Sequence, residues 1–355
     1  MKKIILINLL FLIFFTKLIS NEIKLEQVLS GLNSPWSFSF INDDNILITE
    51  KSGNLIQYNL KSKKIRNIEH NLNILEDGQG GLLEVLYFNN SVFVSYSENR
   101  GDGKSSTSVA KAKYNNKSLE FKNIFRAEPP INSGYHFGSR MIVKDDFLYI
   151  TAGERGQGMI AQDVSKHPGS VIRIHLDGKI PNNNPKFKGK KNWLPEIYQI
   201  GVRNPQGLAL SPFDNKIYMT NHGARGGDWF GEVRYGENYG WKILGWGGTN
   251  YTGTKIGPKW RAGYTKAIKY WTPSIAVGSM IIYEGKEFEE WNGDALITSL
   301  KDESLIKIKF KENKILNEKI LFKGNIGRIR DIELDKKSGR ILLLSDTGSL
   351  WRLTK

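Results

Sequence analysis

The sequence predicts an all-β fold, a β-propeller with about six blades of four antiparallel strands each. Short apolar strands alternate with glycine turns along most of the chain, and hardly any stretch shows the 3.6-residue periodicity of an amphipathic helix. One unit of three short strands also recurs, which is typical of repeat architectures. The same strands would suit a β-sandwich, but several similar openings fit a radial arrangement of blades better.

The N-terminus, residues 1–20, is predicted to be a secretory signal peptide rather than part of the fold. Two lysines precede the apolar run Ile4–Phe15, and Thr16–Ser20 then supplies small residues. The run is about 12 residues, short of the roughly 20 that cross a bilayer as a helix, so cleavage is favoured over anchoring. We therefore expect a periplasmic or secreted protein without stable membrane insertion.

The recurring unit begins with a strand opened by Gly or Pro and continues through a turn to a second strand that ends in Thr or Ser. A glycine turn and a third strand complete it. Full copies begin at Pro35, Gly138 and Arg328, and further openings lie at Gly80, Asn204 and Gly278. Units spaced in this way are long enough for four-stranded blades of roughly 40–50 residues. Residues 21–355 are therefore expected to form a single propeller domain.

Composition excludes several kinds of chemistry. The chain has no cysteine, which rules out disulfides, thiolate metal sites and cysteine nucleophiles. Its 51 Lys and Arg against 36 Asp and Glu give a net charge of +15. Because lysine is abundant throughout and the N-terminus indicates export, we assign most of this charge to composition and predict no nucleic-acid partner. The sequence contains neither a G-x-S-x-G elbow nor an H-E-x-x-H metal pair, and its five histidines lack metal-ligand spacing.

Polar, glycine-rich clusters stand where successive units open, so that they would meet on one face. They are Gly78–Gly81, His136–Arg140, Gly201–Gly207, Asn221–Asp228, Asn238–Trp241, Trp271–Ser279, Ser299–Lys301 and Gly327–Asp331. In this order they strongly resemble the soluble quinoprotein glucose/sorbosone dehydrogenase family, particularly its aldose sugar dehydrogenase branch. The resemblance extends from about Gly31 to the C-terminus.

The resemblance implies a six-bladed propeller that binds pyrroloquinoline quinone (PQQ) and calcium on one face and oxidises aldose sugars at the anomeric carbon to lactones. It implies that His136 is the general base, with Arg203 also acting at the reacting atoms. The positions that match cofactor contacts are Gln79, Arg203, Asn204, Lys301, Arg328 and Arg330. The backbone carbonyls of Gly223 and Ala224 match the ligands of the active-site calcium. Electrons would then pass to an external acceptor, and the protein would be a monomer or a homodimer.

Two departures from the family pattern concern calcium. Ala224 replaces a usual proline, but the carbonyl group remains. Tyr239 matches a second, structural calcium site, in which a glutamate usually follows Asp228. Trp229 stands there instead, which removes one expected ligand of the second ion.

These residue types suit the implied chemistry in their own right. The quinone carries three carboxylates, and guanidinium groups such as those of Arg203, Arg328 and Arg330 bind carboxylates in bidentate fashion. Calcium takes oxygen ligands, including backbone carbonyls, and can polarise a quinone oxygen as a Lewis acid. A neutral histidine with a pKa near 6.5 can take the proton of the anomeric hydroxyl while hydride passes to the quinone. Base catalysis of this kind increases the rate by a factor on the order of 10²–10⁴. Lys301 and the arginines would stabilise the negative charge that develops on the reduced cofactor.

Two other functions remain open at this point. A metal-dependent propeller lactonase, a hydrolase, would need several inward carboxylates around an ion, whereas these openings present arginine, lysine and glutamine. A non-catalytic propeller that binds a glycan or a protein would fit the aromatic-rich insertion Gly245–Trp271, but it leaves His136, Lys301 and Arg328 without a purpose. The rings of this insertion could stack on sugars, or equally could pack the loop against the domain.

Overall fold

The computed structural model describes residues 23–187, 189 and 192–355. The predicted signal peptide lies outside the described residues. Within them, six separate β-sheets form the blades, and the strands of each blade pair antiparallel with their neighbours, apart from one short parallel addition to the first blade. Strand β1, Lys24–Leu29, precedes the first blade in the chain but belongs to the last one.

The six blades follow one another along the chain. Blade 1 contains β2 (Pro35–Asn42), β3 (Asn45–Glu50), β4 (Leu55–Asn59) and β5 (Ile65–His70), and β9 (Ser118–Leu119) is its parallel addition. Blade 2 contains β6 (Leu82–Phe88), β7 (Ser91–Asn99), β8 (Ser105–Lys113) and β10 (Lys122–Arg126). Blade 3 contains β11 (Gly138–Lys144), β12 (Phe147–Ala152), β13 (Ser170–His175) and β14 (Ile197–Ile200). Blade 4 contains β15 (Asn204–Leu210), β16 (Ile217–His222), β17 (Asp228–Glu232) and β18 (Lys269–Trp271). Blade 5 contains β19 (Val277–Ile282), β20 (Ala295–Ser299), β21 (Ser304–Lys311) and β22 (Lys314–Leu321). Blade 6 contains β23 (Ile329–Asp335), β24 (Arg340–Ser345), β25 (Ser349–Thr354) and β1.

The first strands of the blades contact one another in turn and close a ring. β2 packs against β6, β6 against β11, and the series continues through β15, β19 and β23 back to β2. Strand β1 brings the two ends of the chain together. It pairs antiparallel with β25, so that Lys24 lies opposite Thr354. The N-terminal strand therefore completes the C-terminal blade. The predicted six-bladed propeller is confirmed, although the sequence analysis did not predict this closing strand.

Apolar side chains fill the spaces between neighbouring blades. Six of the buried clusters among the described residues lie between blades, one at each interface between two neighbours. Middle strands such as β3 and β24 are buried along nearly their whole length, because another blade covers each of their faces. Outer strands such as β5 and β22 are largely exposed. This arrangement explains why the middle strands are continuously apolar in sequence.

Every blade opens onto the same face of the ring. Because consecutive strands are antiparallel, the start of the first strand and the end of the second strand lie at one end of the blade. The polar clusters of the sequence stand at these two positions. Two short 3₁₀ helices, Gly158–Gln162 and Glu289–Trp291, are the helices of the described part of the chain. Neither has the length or the apolar character needed to span a membrane.

Candidate active site

A cleft of about 330 Å³ opens on the face of the ring where the inner strands begin. The apolar side chains of Trp36, Leu83 and Phe137 form a small buried cluster beneath it. Four residues that the sequence predicted as cofactor contacts line the same cleft, namely Gln79, Asn204, Arg328 and Arg330. They come from the openings of blades 2, 4 and 6. The structure therefore brings together side chains that lie up to 251 positions apart in the chain (330 minus 79).

His136 lies beside this cleft, immediately before β11, and is held in a left-handed conformation with φ of 50°. Its backbone N–H donates to Oε1 of Gln79 at 2.9 Å. Its ring nitrogen Nδ1 lies 2.6 Å from Oε1 of Glu154, whose side chain is only 2% exposed. Because a carboxylate accepts hydrogen bonds, this contact places the ring proton on Nδ1 and leaves Nε2 with a free lone pair.

The surroundings of His136 favour its neutral form. Burial lowers the pKa of the imidazole below its ordinary value; the hydrogen bond that Nδ1 donates to Glu154 raises it in part, and the positive charge of Arg203 lowers it again. Burial by itself would raise the pKa of Glu154, but the hydrogen bond with His136 lowers it, so this carboxyl is ionised. A neutral imidazole oriented by a carboxylate can act as a proton acceptor at Nε2. Glu154 was not predicted from the sequence, although it follows the second strand of its blade.

Arg155 supports the loop that carries His136. Its Nε donates to the carbonyl of Tyr135 at 2.9 Å, and its Nη1 donates to the carbonyl of Ser105 at 2.9 Å. The guanidinium carbon lies 3.6 Å from the centre of the Phe137 ring. Arg155 thus fixes the backbone on both sides of His136, and this role also was not predicted.

Arg203 and Asn204 sit at the opening of blade 4. Their backbone N–H groups both donate to Oδ1 of Asn221, at 3.0 and 2.9 Å, which fixes the turn. The Arg203 side chain is buried, and its guanidinium carbon lies 5.4 Å from the centre of the Trp241 ring. Within the described residues this guanidinium makes no hydrogen bond or ion pair. A buried cation without a partner is the feature expected where an anionic ligand binds.

Arg328 and Arg330 share one carboxylate, that of Asp346. Nε of Arg328 lies 3.0 Å from Oδ2, and Nε of Arg330 lies 2.8 Å from Oδ1. Burial would raise the pKa of Asp346, but the charge and hydrogen bonds of Arg330 and then of Arg328 lower it. Two guanidinium groups on one ionised carboxylate leave one net positive charge facing the cleft.

Lys301 and the loop that carries Gly223 and Ala224 flank the cleft. Lys301 is exposed and follows Leu300, which lines the cleft. Gly223 and Ala224 follow the cleft residue His222, and neither carbonyl accepts a hydrogen bond from the described residues. Burial lowers the pKa of His222 to about 4, so this imidazole is neutral.

Asp228 holds this loop in place. Its Oδ1 accepts from the backbone N–H of Gly223 at 2.8 Å, and its Oδ2 accepts from those of Ile275 and Ala276 at 3.0 and 2.7 Å. Since Ala276 lines the cleft, one carboxylate joins two of the segments that shape it.

Tyr239 lies away from the cleft, in the core between blades 3 and 4. Its ring stacks on that of Trp229 with 4.0 Å between centroids, and its hydroxyl donates to the carbonyl of Glu232 at 2.7 Å. Its own carbonyl accepts a hydrogen bond from Nε1 of Trp246 at 3.3 Å. Position 229 therefore contributes a packed indole rather than a carboxylate. The described residues contain no group of three or more acidic or histidine side chains that could hold a metal ion.

Comparison with known proteins extends these observations to the whole chain. The model of the glucose/sorbosone dehydrogenase family matches residues 32–352. The chain is 32% identical to aldose sugar dehydrogenase YliI of Escherichia coli (strain K12), over 92% of this chain and 91% of that protein. It is 25% identical to quinoprotein glucose dehydrogenase B of Acinetobacter calcoaceticus, over 94% of this chain and 87% of that protein.

Solved structures show the same fold. The apo-form of the soluble aldose sugar dehydrogenase from Escherichia coli superimposes with a TM-score of 0.87 at 31% identity, covering 94% of this chain and 99% of the other. The PQQ-bound form of aldose sugar dehydrogenase from Streptomyces coelicolor superimposes with a TM-score of 0.77 at 20% identity, covering 94% of this chain and 98% of the other.

Proposed function

Because this chain belongs to the glucose/sorbosone dehydrogenase family, we propose that it oxidises aldose sugars at the anomeric carbon to lactones with bound PQQ and calcium. Its relatives are named aldose sugar dehydrogenase and quinoprotein glucose dehydrogenase, which supports a sugar oxidoreductase. The predicted signal peptide supports a periplasmic or secreted location, in which electrons pass to an external acceptor.

The observation that carries this proposal is the gathering of the neutral imidazole of His136 and several cations around a single cleft. His136 presents an unprotonated Nε2, and its partner Glu154 is ionised. Arg328 and Arg330 line the cleft, and Arg203 directly precedes the cleft residue Asn204. Had these side chains been spread over separate surfaces, no common ligand would connect them.

The cleft fits a flat, anionic cofactor. Its floor is apolar and aromatic, its rim carries the cations Lys51, Arg328 and Arg330, and no acidic side chain lines it among the described residues. Side-chain amides of Gln79, Asn204 and Gln206 add hydrogen-bonding groups. Guanidinium and ammonium groups bind carboxylates, and aromatic faces accept planar rings. We therefore propose that Gln79, Asn204, Lys301, Arg328, Arg330 and Arg203 hold PQQ.

The loop at Gly223 and Ala224 fits calcium. Calcium accepts backbone carbonyl oxygens as ligands, and these two carbonyls lack a hydrogen-bond donor within the described residues. Asp228 keeps the loop in shape through the N–H of Gly223. We propose one calcium ion here. For the second site at Tyr239 the side chains described above supply no carboxylate, so we expect no second ion.

When bound, the quinone supplies the acceptor for the hydride that leaves the anomeric carbon, and calcium supplies a Lewis acid beside it. The residues of the chain perform the remaining tasks. Nε2 of His136 takes the proton of the anomeric hydroxyl, and the Glu154 carboxylate stabilises the imidazolium that forms. Burial of His136, and after it the nearby positive charge of Arg203, lower the pKa of the imidazole and favour its neutral form before the reaction. Arg155 holds the loop so that Nε2 keeps its direction.

The lactonase alternative lacks support in the cleft. A hydrolytic metal centre on a propeller would need inward carboxylates, and the cleft lining supplies arginines, one lysine and amides instead. A non-catalytic glycan-binding propeller would not require the His136–Glu154 pair.

Reconstitution tests the proposed function. The mature protein, residues 21–355, is purified without cofactor, and dye reduction is followed with a panel of aldoses after PQQ and calcium are added. We expect activity that needs both additions and that falls on the order of 10²–10⁴-fold in His136→Ala. His175→Ala is the matched control, because His175 ends β13 on the opposite face of the ring. Activity without PQQ, or lactone hydrolysis in its absence, would contradict the proposal.

A further inference from the structure

The aromatic insertion Gly245–Trp271, here called the basic insert, has an unusual charge pattern. Between Glu237 and Glu284 the chain contains six Lys and Arg residues and no Asp or Glu. In the structure Lys269 pairs with Glu318 at 2.5 Å. Four other cations are exposed and make no ion pair with the described residues, namely Lys255, Lys259, Arg261 and Lys266. The surface of the insert therefore carries uncompensated positive charge.

The rings of the insert differ in exposure, and Tyr264 is half-buried against the cluster between blades 3 and 4. Trp246 and Trp271 are buried, at 3% and 9% exposure, and they pack the insert against blade 4. Tyr251, Trp260 and Tyr270 are exposed, at 73%, 40% and 39%. The buried rings therefore pack the insert against the domain, which is one of the two alternatives left open by the sequence. The exposed rings remain available to a ligand.

Two of the exposed rings lie next to exposed cations. Nζ of Lys266 lies 5.6 Å from the centre of the Trp260 ring, and Nζ of Lys259 lies 5.7 Å from that of Tyr270. Aromatic rings stack against the C–H faces of sugars, and neighbouring cations bind carboxylate groups. An extended, hydrated chain of carboxylated sugars uses both kinds of group. A protein partner would require a contiguous apolar core, whereas these rings are separated by glycines and polar residues.

The basic insert is joined to the proposed calcium loop. The backbone N–H of Arg225 donates to the carbonyl of Thr249 at 3.0 Å, and that of Gly227 donates to the carbonyl of Trp271 at 2.8 Å. Arg225 is itself exposed and without an ion pair among the described residues. A ligand that lies along the insert therefore reaches the segment that shapes one side of the cleft.

We propose that the basic insert binds carboxylated oligosaccharides, chains of uronic acids, and directs their aldose ends to the cleft. The delivery of the aldose end rests on the proposed function, but binding to the insert requires neither cofactor nor turnover. The substrate class of this protein is then acidic oligosaccharides in addition to simple aldoses.

Calorimetric titration of the mature protein without cofactor tests the binding. The probe is tetragalacturonate, and neutral maltotetraose is the comparison. We expect tetragalacturonate to bind at least about tenfold more tightly at low salt and to lose this advantage in about 1 M NaCl, where the screening length is about 3 Å. Equal binding of the two tetrasaccharides would overturn the proposal.

Charge-reversal variants locate the surface. The triple variant Lys259→Glu/Arg261→Glu/Lys266→Glu is expected to weaken tetragalacturonate binding roughly tenfold or more, because several exposed ion contacts become repulsive. The matched control is Lys64→Glu/Lys311→Glu/Lys314→Glu. It changes the net charge equally, at three exposed lysines whose turns lie at the opposite face of the ring. Equal weakening in both variants would mean that only net charge matters, and the proposal would fail.

The variant Trp260→Ala distinguishes between two kinds of ligand for the insert, a glycan and an acidic protein. Loss of a stacking ring should weaken tetragalacturonate binding several-fold, whereas a surface that merely attracts anions should not respond. An unchanged affinity would therefore overturn the glycan proposal. Activity of the reconstituted enzyme distinguishes failure of the proposed function from failure of the binding proposal. If the enzyme oxidises no aldose but the wild-type protein still binds tetragalacturonate, the proposed function is refuted and the binding site is retained.

Discussion

At the scale of single residues, His136 is subject to opposing influences. Burial and the charge of Arg203 lower its pKa, while the carboxylate of Glu154 raises it in part. The net effect keeps the ring neutral over most of the physiological range, and the Glu154 contact decides which nitrogen is free. A buried base that is too easily protonated would be inactive, and one without a carboxylate partner would poorly stabilise the imidazolium.

Glu154→Gln should shift the acid limb of the pH–activity profile to lower pH. The amide oxygen can still accept a hydrogen bond from Nδ1, but the negative charge that favours the protonated ring is lost. The pKa of His136 then falls further below 6.5. Because activity rises as His136 loses its proton, the limb moves to lower pH, while kcat falls roughly tenfold to a hundredfold as the imidazolium loses its counter-charge.

The matched control for this measurement is Glu196→Gln. Glu196 faces His167 across 3.6 Å, a second histidine–carboxylate pair that does not line the cleft. The pH dependence of kcat/KM in the reconstituted enzyme should be unchanged in this control. An acid limb that stays in place in Glu154→Gln would show that the carboxylate does not act on the base.

At the scale of elements, the connections between strands build the cleft. The segments before the first strands supply Gln79, His136 and Arg203, and the segments after the second strands supply Lys51 and Glu154. Each blade contributes through these two connections, while its strands provide a fixed support. Asp228 joins the proposed calcium loop to the segment before β19, so one carboxylate links two connections from neighbouring blades.

Asp228→Asn should lower both calcium affinity and stability. The Asn side chain offers one acceptor oxygen where the carboxylate accepts from three backbone N–H groups, so buried donors lose their partners. We expect a decrease of about 1–3 kcal/mol in the free energy of unfolding, measured in urea, together with weaker calcium binding in titration. Asp214→Asn, in the turn at the other end of blade 4, should leave calcium affinity unchanged. Unaltered calcium affinity in Asp228→Asn would remove this carboxylate from the metal site.

Some of these connections could be predicted from the sequence, and others could not. The openings before the first strands were predictable because they carry distinctive glycine, arginine and asparagine clusters. Glu154 and Asp346 were missed although they follow second strands, because a lone carboxylate there has no local signature and its partner lies elsewhere in the chain. The pairing of β1 with β25 was missed for a related reason: six residues of weak pattern at one end of the chain do not specify a partner at the other.

At the scale of the whole molecule, one buried cation connects most of the ring. Arg140 of blade 3 donates to Asp331 of blade 6 at 2.7 Å and to Glu84 of blade 2 at 3.2 Å. It also donates to the carbonyl of Gln206 in blade 4 at 2.8 Å. The other oxygen of Asp331 accepts from the backbone N–H of Phe38 in blade 1 at 3.0 Å. Five of the six inner strands thus meet through one network beneath the cleft.

This network contains more carboxyl groups than cations, which has a consequence for stability. Burial raises the pKa of Glu84 to about 8; Arg140 lowers it in part, and the charge of Asp331 raises it again. The folded protein therefore keeps a proton on Glu84 that the unfolded chain releases near pH 4.5. Stability from this group is fully present below pH 4.5 and is lost as the pH rises through about 8.

Glu84→Gln should remove this loss, since glutamine resembles the protonated acid and cannot ionise. Relative to the wild type, the variant should be nearly neutral at pH 5 and should become more stable towards pH 9, by roughly 2–4 kcal/mol. Urea unfolding at several pH values measures this difference. Glu232→Gln, in a partly exposed ion pair with Lys216, should change stability by less than about 1 kcal/mol at either pH. A difference for Glu84→Gln that does not grow between pH 5 and pH 9 would show that Glu84 does not change its ionisation state over this range, and the raised pKa would be refuted.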